Sequence, residues 1–514
     1  MLYSSPILFQ WVMNFSEYNQ VRVRDTNQKP ILEKNVYVLY WMQAYRRFES
    51  NHALDYAVFL AKKLGKELIV YEGLRTDYKW NSERLHKFIL EGICDNRQTA
   101  ERLGINYWSF VETLDNPARG ILRKISEKAC AVVTDDFPAF IIPEQIDKLS
   151  KKIDCKLIAV DSNSIIPISL YGEHASAARV LRPRIHRLFA EAYVHRAKEK
   201  ISKKDLIQVE KISKAPFKEF KIEKQDIDKF LSKISFSNSV KPASDMIGGS
   251  KIALEKLNYF IKNNLNLYGD NRSNPHSPKL TPVSAMSPYL HFGHISVETI
   301  IARCLNADEK ETWAPDKLNI DAKGDKDAFF GKNKSLNSYF DELITWRDIG
   351  YLLFWPKKEF NKDLRILPEW IQKILIKHAT DKRDYLYTRK ELEAAKTHDP
   401  LWNAAQKELI ITGRMHNYMR MLWGKKVIEW SKTYKEAFDT LEEFNNKYAY
   451  DGKNPNSYTG ILWCFGLFDR PWFPERNVHG NLRYMSSDST KKKFRMMEYL
   501  EYAAKLEGKK ESLF

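Results

Sequence analysis

The chain has 514 residues, enough for two or three domains with a large core, and its 29% charged and 43% hydrophobic residues exclude a disordered or fibrous protein. A formal net charge of +17 favours a polyanionic partner, and thirteen tryptophans offer flat faces on which bases can stack. Five scattered cysteines (Cys94, Cys130, Cys155, Cys304 and Cys464) with no Cys-x-x-Cys argue against a disulfide framework, zinc or an iron–sulfur centre. No apolar run approaches the roughly 18 residues of a membrane span, so an intracellular protein in cytoplasm, nucleoid or nucleus is expected.

From the N-terminus, residues 1–34 read as a mixed, polar extension. The apolar run at 7–12 is too short for a signal peptide, and Arg22 and Arg24 fit a solvated arm or a phosphate contact. Residues 36–40 (VYVLY) predict a buried strand, 51–64 a helix closed by Gly65, 67–71 (ELIVY) a second strand and 82–103 a helix. Strands follow at 131–134 and 156–160, each after a helical pattern. The alternation predicts a doubly wound parallel α/β domain over 35–188. Ligands of such sheets sit beyond the strand carboxyl ends, here residues 41–47, 72–73 and 135–138. No Gly-x-Gly-x-x-Gly follows the first strand, so a dinucleotide is not indicated there. The Lys- and Ser-rich segment 189–248 predicts a helical surface linker. Residues 249–514 predict an all-α domain interrupted by a mobile loop at 306–336.

The segment 396–430, KTHDPLWNAAQKELIITGRMHNYMRMLWGKKVIEW, predicts two helices. Asp399 is an N-cap with Pro400 at the first position, Gly413 ends the first helix, and the second runs from about 416 to about 430. Arg420, Trp423 and Trp430 fall near one face, with Trp402 on the preceding helix. By themselves these residues fit either of two pictures. One is a packed core in which Arg420 snorkels. The other is an anionic redox ring held by Arg420, with indoles relaying electrons to the surface.

Longer motifs carry a resemblance. NLYGDNRSNP, SAMSPYLHFGHIS, FDELITWRD, THDPLWNAAQ, MHNYMRMLWGKKVIEW, FNNKYAYDGKNPNSY and NLRYM, with VYVLYWMQAYRRFESNHAL, DDFP and ARVLRPRI in the first half, resemble the class II DNA photolyases of the photolyase/cryptochrome family. The likeness spans most of residues 20–490. It implies light-driven splitting of cyclobutane pyrimidine dimers in DNA by electron transfer from excited FADH−, in a lyase that acts as a monomer. The resemblance implies that Ser284, Ser287, Tyr289 and Leu290 receive the FAD pyrophosphate at a helix start, which backbone amides also suit. Tyr268 and Arg272 would line the other side. Arg420 would lie against the isoalloxazine with Asp451 as ion-pair partner, and Asn445 near flavin N5. Trp402, Trp423 and Trp430, extended by Tyr387, would serve photoreduction. Glu342 would hydrogen-bond the flipped dimer, Trp463 and Trp472 would sandwich it, Arg483 would fill the gap left in the duplex, and Arg347 would be a basic DNA contact.

The sequence departs from the class at several points. Trp346 stands where an Arg is usual, Phe468 where a His is usual, His294 where a Gln is usual, and the Trp463–Trp472 spacing is one residue short. A cryptochrome-type photoreceptor is the alternative reading, set against by Glu342, Trp463, Trp472 and the positive charge. A (6-4) photoproduct enzyme would need a histidine pair at the lesion, which Phe468 argues against. The crevice of the first domain has room in this reading for an antenna: a deazaflavin, a folate, another flavin or nothing.

Overall fold

The computed structural model describes residues 15–207, 209, 212–276, 281–308, 312–355 and 363–511. The apolar run at 7–12 lies outside them. Six strands build one sheet: β1 (Val23–Asp25), β2 (Tyr37–Met42), β3 (Glu67–Leu74), β4 (Asn106–Val111), β5 (Ala129–Asp135) and β6 (Lys156–Val160), in the order β1-β6-β5-β2-β3-β4. All neighbours are parallel except β1, which adds antiparallel to β6. Every residue of β2 and β5 is buried, which is why both read as unbroken apolar runs: central parallel strands are covered on both faces. Helix α1 (His52–Leu64) begins at Asn51, whose side chain accepts from Ala53 and Leu54 N–H, and ends at Gly65 with φ 64°. Helix α2 (Glu83–Leu103) is capped by Ser82 in the same way.

Several expectations are corrected. Residues 15–34 are part of the first domain rather than an extension. Arg22 is buried and donates to the carbonyls of Asp161, Ser164 and Ile165 at 3.3, 3.1 and 2.6 Å, while Arg24 pairs with Asp136 at 2.7 Å. Arg22 is thus no solvated arm, while Arg24 stays exposed but is held by its partner. β4 went unpredicted because Asn106 and Ser109 break its apolar run. The linker is not a helix along β4: residues 212–223 run without regular structure beside it. Ser109 donates to the Phe220 carbonyl at 2.6 Å and accepts from Phe220 N–H at 2.8 Å, so the linker covers the sheet's edge. Among the described residues, 312–336 are packed rather than free. Trp313, Phe329 and Phe330 are buried against Phe189 on α3 (Ala178–Val194), a helix that itself runs through the expected boundary at 188.

The helical domain carries α4 (Pro400–Thr412), α5 (Asn417–Trp430), α6 (Tyr434–Tyr448) and α7 (Pro455–Cys464). Arg84, at the start of α2, ties the two domains. It donates to the carbonyls of Tyr448, Ile410 and Ile411 at 2.8, 2.7 and 3.0 Å, satisfying the carboxyl ends of α4 and α6. Gly293, at φ 71°, lets the chain pass so close to the Ala44 carbonyl that any Cβ there would collide with it.

Candidate functional site

The caps read from sequence position the centre of the site. Asp399 accepts from Leu401 and Trp402 N–H, Pro400 takes the first helical position, Gly413 closes α4 at φ 68°, and His416 caps α5. Arg420 on α5 then reaches Asp451, with nitrogen–oxygen distances of 3.3 and 3.5 Å. The loop holding Asp451 is fixed by Asn454 and Ser457, which donate to its carbonyl at 3.0 and 2.7 Å, and by Asn446, which accepts from Lys453 N–H at 2.8 Å. Burial pushes the Asp451 carboxyl up, but the Arg420 guanidinium and the Ser287 hydroxyl outweigh it and hold the group below the usual carboxylate range. Asn445 is buried on α6, its amide 3.3 Å from Asn446 Oδ1. Ser284 accepts weakly from Met286 N–H at 3.4 Å. Met286 is the cap residue of the short helix Ser287–His291, so Ser287 and Pro288 sit one and two positions inside it. The Tyr289 ring packs on Phe88 of α2 and its hydroxyl donates to the Ile247 carbonyl at 2.7 Å, so its side chain serves the domain interface and only its backbone faces the helix start. Leu290 is half-buried against the core.

These residues fit a flavin nucleotide. Arg420 keeps N–H donors to spare, because both contacts with Asp451 are long. Asn445 has an amide that both donates and accepts, and Ser284 and Ser287 supply hydroxyls at a helix start.

Aromatic rings form a file from Trp402 through Trp430 to Tyr387, with Trp423 joined to it through its backbone carbonyl. Trp402, fully buried, donates to the Trp423 carbonyl at 3.1 Å and meets the Trp430 ring edge to face, centroids 5.6 Å apart. Trp423 donates to Gln406 Oε1 at 2.8 Å. Trp430 in turn contacts Tyr387 at 5.5 Å and His398 at 5.2 Å. Tyr387 is only half-buried, so the file leads from the interior to the surface.

Two further clusters hold the residues read as substrate contacts. Glu342 lies on a π-helical turn, Asp341–Trp346, a widening often found at functional sites. It forms a 2.6 Å ion pair with Arg272. Sequence reading set these two apart, one at the flavin and one at the lesion; the structure joins them. Burial pushes the Glu342 carboxyl up, against the pull of Arg272. Tyr268 is buried beside them, packed on Phe260 and Tyr339. Trp463 and Trp472 are both half-buried, and one guanidinium, that of Arg483, lies over both rings with Cζ 5.4 and 4.2 Å from their centroids. Asp469 holds the group together, accepting from Arg483 Nε at 2.9 Å and Trp472 Nε1 at 3.1 Å. The shortened spacing therefore does not separate the indoles. Phe473, next to Trp472, is 79% exposed. Behind Trp463 lies Lys425, fully buried, its amine 5.8 Å from the indole centroid and pushed down to about 8 by burial.

Arg347 is corrected. Its guanidinium is buried at the domain interface, donating to Asn163 O and Oδ1, both at 2.8 Å, and is not presented to a ligand. The adjacent Asp348 accepts from Ser164 and Tyr171 there. Trp346 is half-buried against the core, and His294 is buried on Phe88, accepting from Gly249 N–H at 3.0 Å.

At the carboxyl ends of β2 and β3 a crevice of about 1000 Å³ opens between the domains. Trp41, Tyr71 and Phe110 line it, Arg75, Arg119, Arg123, Lys148 and Lys152 make it basic, and Lys453 and His291 close it from the helical side. Burial pushes the Lys453 amine down to about 7. Among the described residues, no group of His, Cys, Asp and Glu is arranged to hold a metal, and no helix is long and apolar enough to cross a membrane. Asp469, Lys425, Gln406 and His398 were missed in the sequence. Apart from the contact of Asp469 with Trp472, each acts on a partner more than ten positions away, and only the THD run just before α4 hinted at His398.

No protein-family model matches the chain. It is 34% identical over 481 residues to a deoxyribodipyrimidine photo-lyase of Methanothermobacter thermautotrophicus, covering 93% of this chain and 97% of that protein. It is 29% identical over 488 residues to the deoxyribodipyrimidine photo-lyase of Oryza sativa subsp. japonica, covering 92% and 88%. Among solved structures it resembles a class III photolyase from Agrobacterium tumefaciens, with TM-score 0.61, 16% identity and coverage of 91% and 86%. It also resembles a cryptochrome from Synechocystis sp. PCC6803, with TM-score 0.63, 13% identity and coverage of 91% and 88%. At those identities the structural likeness concerns the fold alone.

Proposed function

Since this chain belongs to the deoxyribodipyrimidine photo-lyases, which repair pyrimidine dimers in DNA with light, we propose that it does so as a class II enzyme, with FAD held between Arg420, Asp451, Asn445, Ser284 and Ser287. When bound, the flavin supplies the electron that light drives into the dimer. The chain's own residues do the rest. The Arg420–Asp451 pair favours negative charge on the ring without leaving a buried guanidinium alone, which would cost several kcal/mol. The amide of Asn445 can donate or accept as the protonation of its neighbour changes. Trp463 and Trp472 stack on the extruded bases and exclude water, worth about 1–3 kcal/mol per base against a flipping cost of a few kcal/mol. Arg483 must leave the indoles for a dimer to enter, and its charge then faces the opened duplex. Glu342, steadied by Arg272, accepts a hydrogen bond from the lesion.

The observation that carries this reading is the Arg483-bridged indole pair on the same domain as the Arg272–Glu342 pair. A photoreceptor that signals through a protein partner has no use for those two clusters. The basic crevice between the domains suits a planar, anionic antenna chromophore of the deazaflavin, folate or flavin class. The test is an absorption spectrum of the purified protein, with repair measured under blue light on dimer-containing and plain oligonucleotides. Flavin bands with dimer-specific repair support the reading, and an extra near-ultraviolet or violet band reports the antenna. Flavin without lesion preference or repair would leave the photoreceptor reading in its place.

A further inference from the structure

The file of indoles ends in a hydrogen-bonded pair. The Tyr387 hydroxyl lies 2.7 Å from Nδ1 of His398, and the same oxygen accepts from the His398 backbone N–H at 3.0 Å. A phenol oxygen that already accepts from a backbone N–H is polarised to donate its own proton along the second contact, and neutral imidazole with its hydrogen on Nε2 offers Nδ1 as acceptor. The Tyr385 ring, 48% exposed, stacks on the imidazole at 3.7 Å and 19°, fixing its plane. Trp430 touches both members of the pair. His398 is exposed, so a proton delivered to it passes on to water.

We propose that His398 is the proton acceptor for oxidation of Tyr387, so that the relay ends in a neutral tyrosyl radical rather than in an indole cation. The inference rests on the photoreduction reading of Trp402, Trp423 and Trp430. In that reading a bound, light-excited oxidised flavin would be the one-electron oxidant, and the deficit would come to rest on Trp430. One electron then moves from Tyr387 to the Trp430 cation radical, restoring a neutral indole. The phenol O–H bond breaks as an Nδ1–H bond forms, and the imidazolium carries the positive charge the indole has lost. The coupling matters because a phenol cation radical is a very strong acid, so oxidation without a base in place is uphill. Once the proton has left for water, electron return must wait for its recovery, which lengthens the life of the separated charge.

The purely architectural alternative is that Tyr387 only ties down the turn before α4 by accepting from the His398 N–H. His398→Phe separates the two, since it keeps a flat ring under Tyr385 and the backbone N–H but removes Nδ1. Flash photolysis of the flavin-loaded protein in light and heavy water is the experiment, with circular dichroism and flavin content as folding controls. The wild type is expected to show an indole radical followed by the sharp near-ultraviolet band of a neutral tyrosyl radical, with a hand-off slowed at least twofold in heavy water. His398→Phe should stop at the indole radical and lose the isotope effect. His398→Gly with added imidazole should recover the tyrosyl band. A tyrosyl band and isotope effect that persist in His398→Phe, or a wild type that never forms a tyrosyl radical, would overturn the proposal. Failure of the underlying relay looks different: Trp430→Phe would then photoreduce at the wild-type rate, whereas failure of the proton step alone leaves Trp430→Phe blocked.

Discussion

Truncating Trp463 to alanine is expected to weaken binding of dimer-containing DNA while leaving undamaged DNA nearly untouched. The indole is half-buried at the last turn of α7, with the Lys425 amine 5.8 Å and the Arg483 guanidinium carbon 5.4 Å from its centroid. Stacking of a base on an aromatic side chain is worth about 1–3 kcal/mol. The lower part of that range applies here, because Arg483 already covers the ring and must be displaced before a base takes its place. A loss of ~1–2 kcal/mol corresponds to a Kd about 5 to 30 times higher. Undamaged duplex is held by phosphate contacts, which the indole does not make, so its Kd should stay within about twofold. The same truncation admits water to Lys425, whose amine burial holds at about 8, so its titration should move back up toward the ordinary lysine range. Because one guanidinium lies over both rings, the effects of Trp463→Ala and Trp472→Ala should not add. Fluorescence anisotropy with matched dimer-containing and plain duplexes at one salt concentration measures the affinities. Equal losses on both duplexes, or no loss on either, would refute the assignment of Trp463 to the lesion pocket.

Trp430→Phe should slow photoreduction of oxidised flavin at least tenfold while chemically reduced enzyme still repairs; wild-type photoreduction would return the indoles to packing. Glu342→Ala should lower repair yield with normal flavin content, since a hydrogen bond to a charged acceptor is worth about 1.5–3 kcal/mol, and unchanged quantum yield under blue light would dismiss the carboxylate. Glu408 is fully buried against Tyr499, and burial raises its carboxyl from 4.5 to about 7, so its charged form costs stability above about pH 7 and nothing below about pH 4.5. Glu408→Gln should therefore raise the urea-unfolding free energy by roughly 2–3 kcal/mol near pH 8 and leave it unchanged near pH 4. With a net charge of +17, affinity for any DNA should fall steeply with salt while preference for the lesion persists at moderate salt, and a flat response in a salt titration would count against a phosphate-tracking surface.

The sequence by itself determined what depends on neighbours in the chain. Asp399, Pro400 and Gly413 set the ends of α4, Asn51 and Gly65 those of α1, and the apolar runs of β2, β3, β5 and β6 announced a parallel sheet. Capping and periodicity act within a turn or a strand, so residue order alone carries them. The spacing of Arg420, Trp423 and Trp430 was legible for the same reason, and long motifs named the family. Tertiary structure decided the rest. Arg22 and Arg347 looked like surface cations, yet each is buried on carbonyls or an asparagine more than a hundred positions away, because a guanidinium leaves water only where distant acceptors replace it. The linker's composition said helix, but the open edge of β4 drew it alongside the sheet. Glu342 and Arg272, assigned separately, became one ion pair when a π-helical turn met the end of helix Leu265–Asn271. Asp469 and His398 acquired partners only when loops closed around Arg483 and Tyr387. Ion pairing and desolvation depend on which groups meet in space, and that is set by the packing of both domains rather than by any local run of residues.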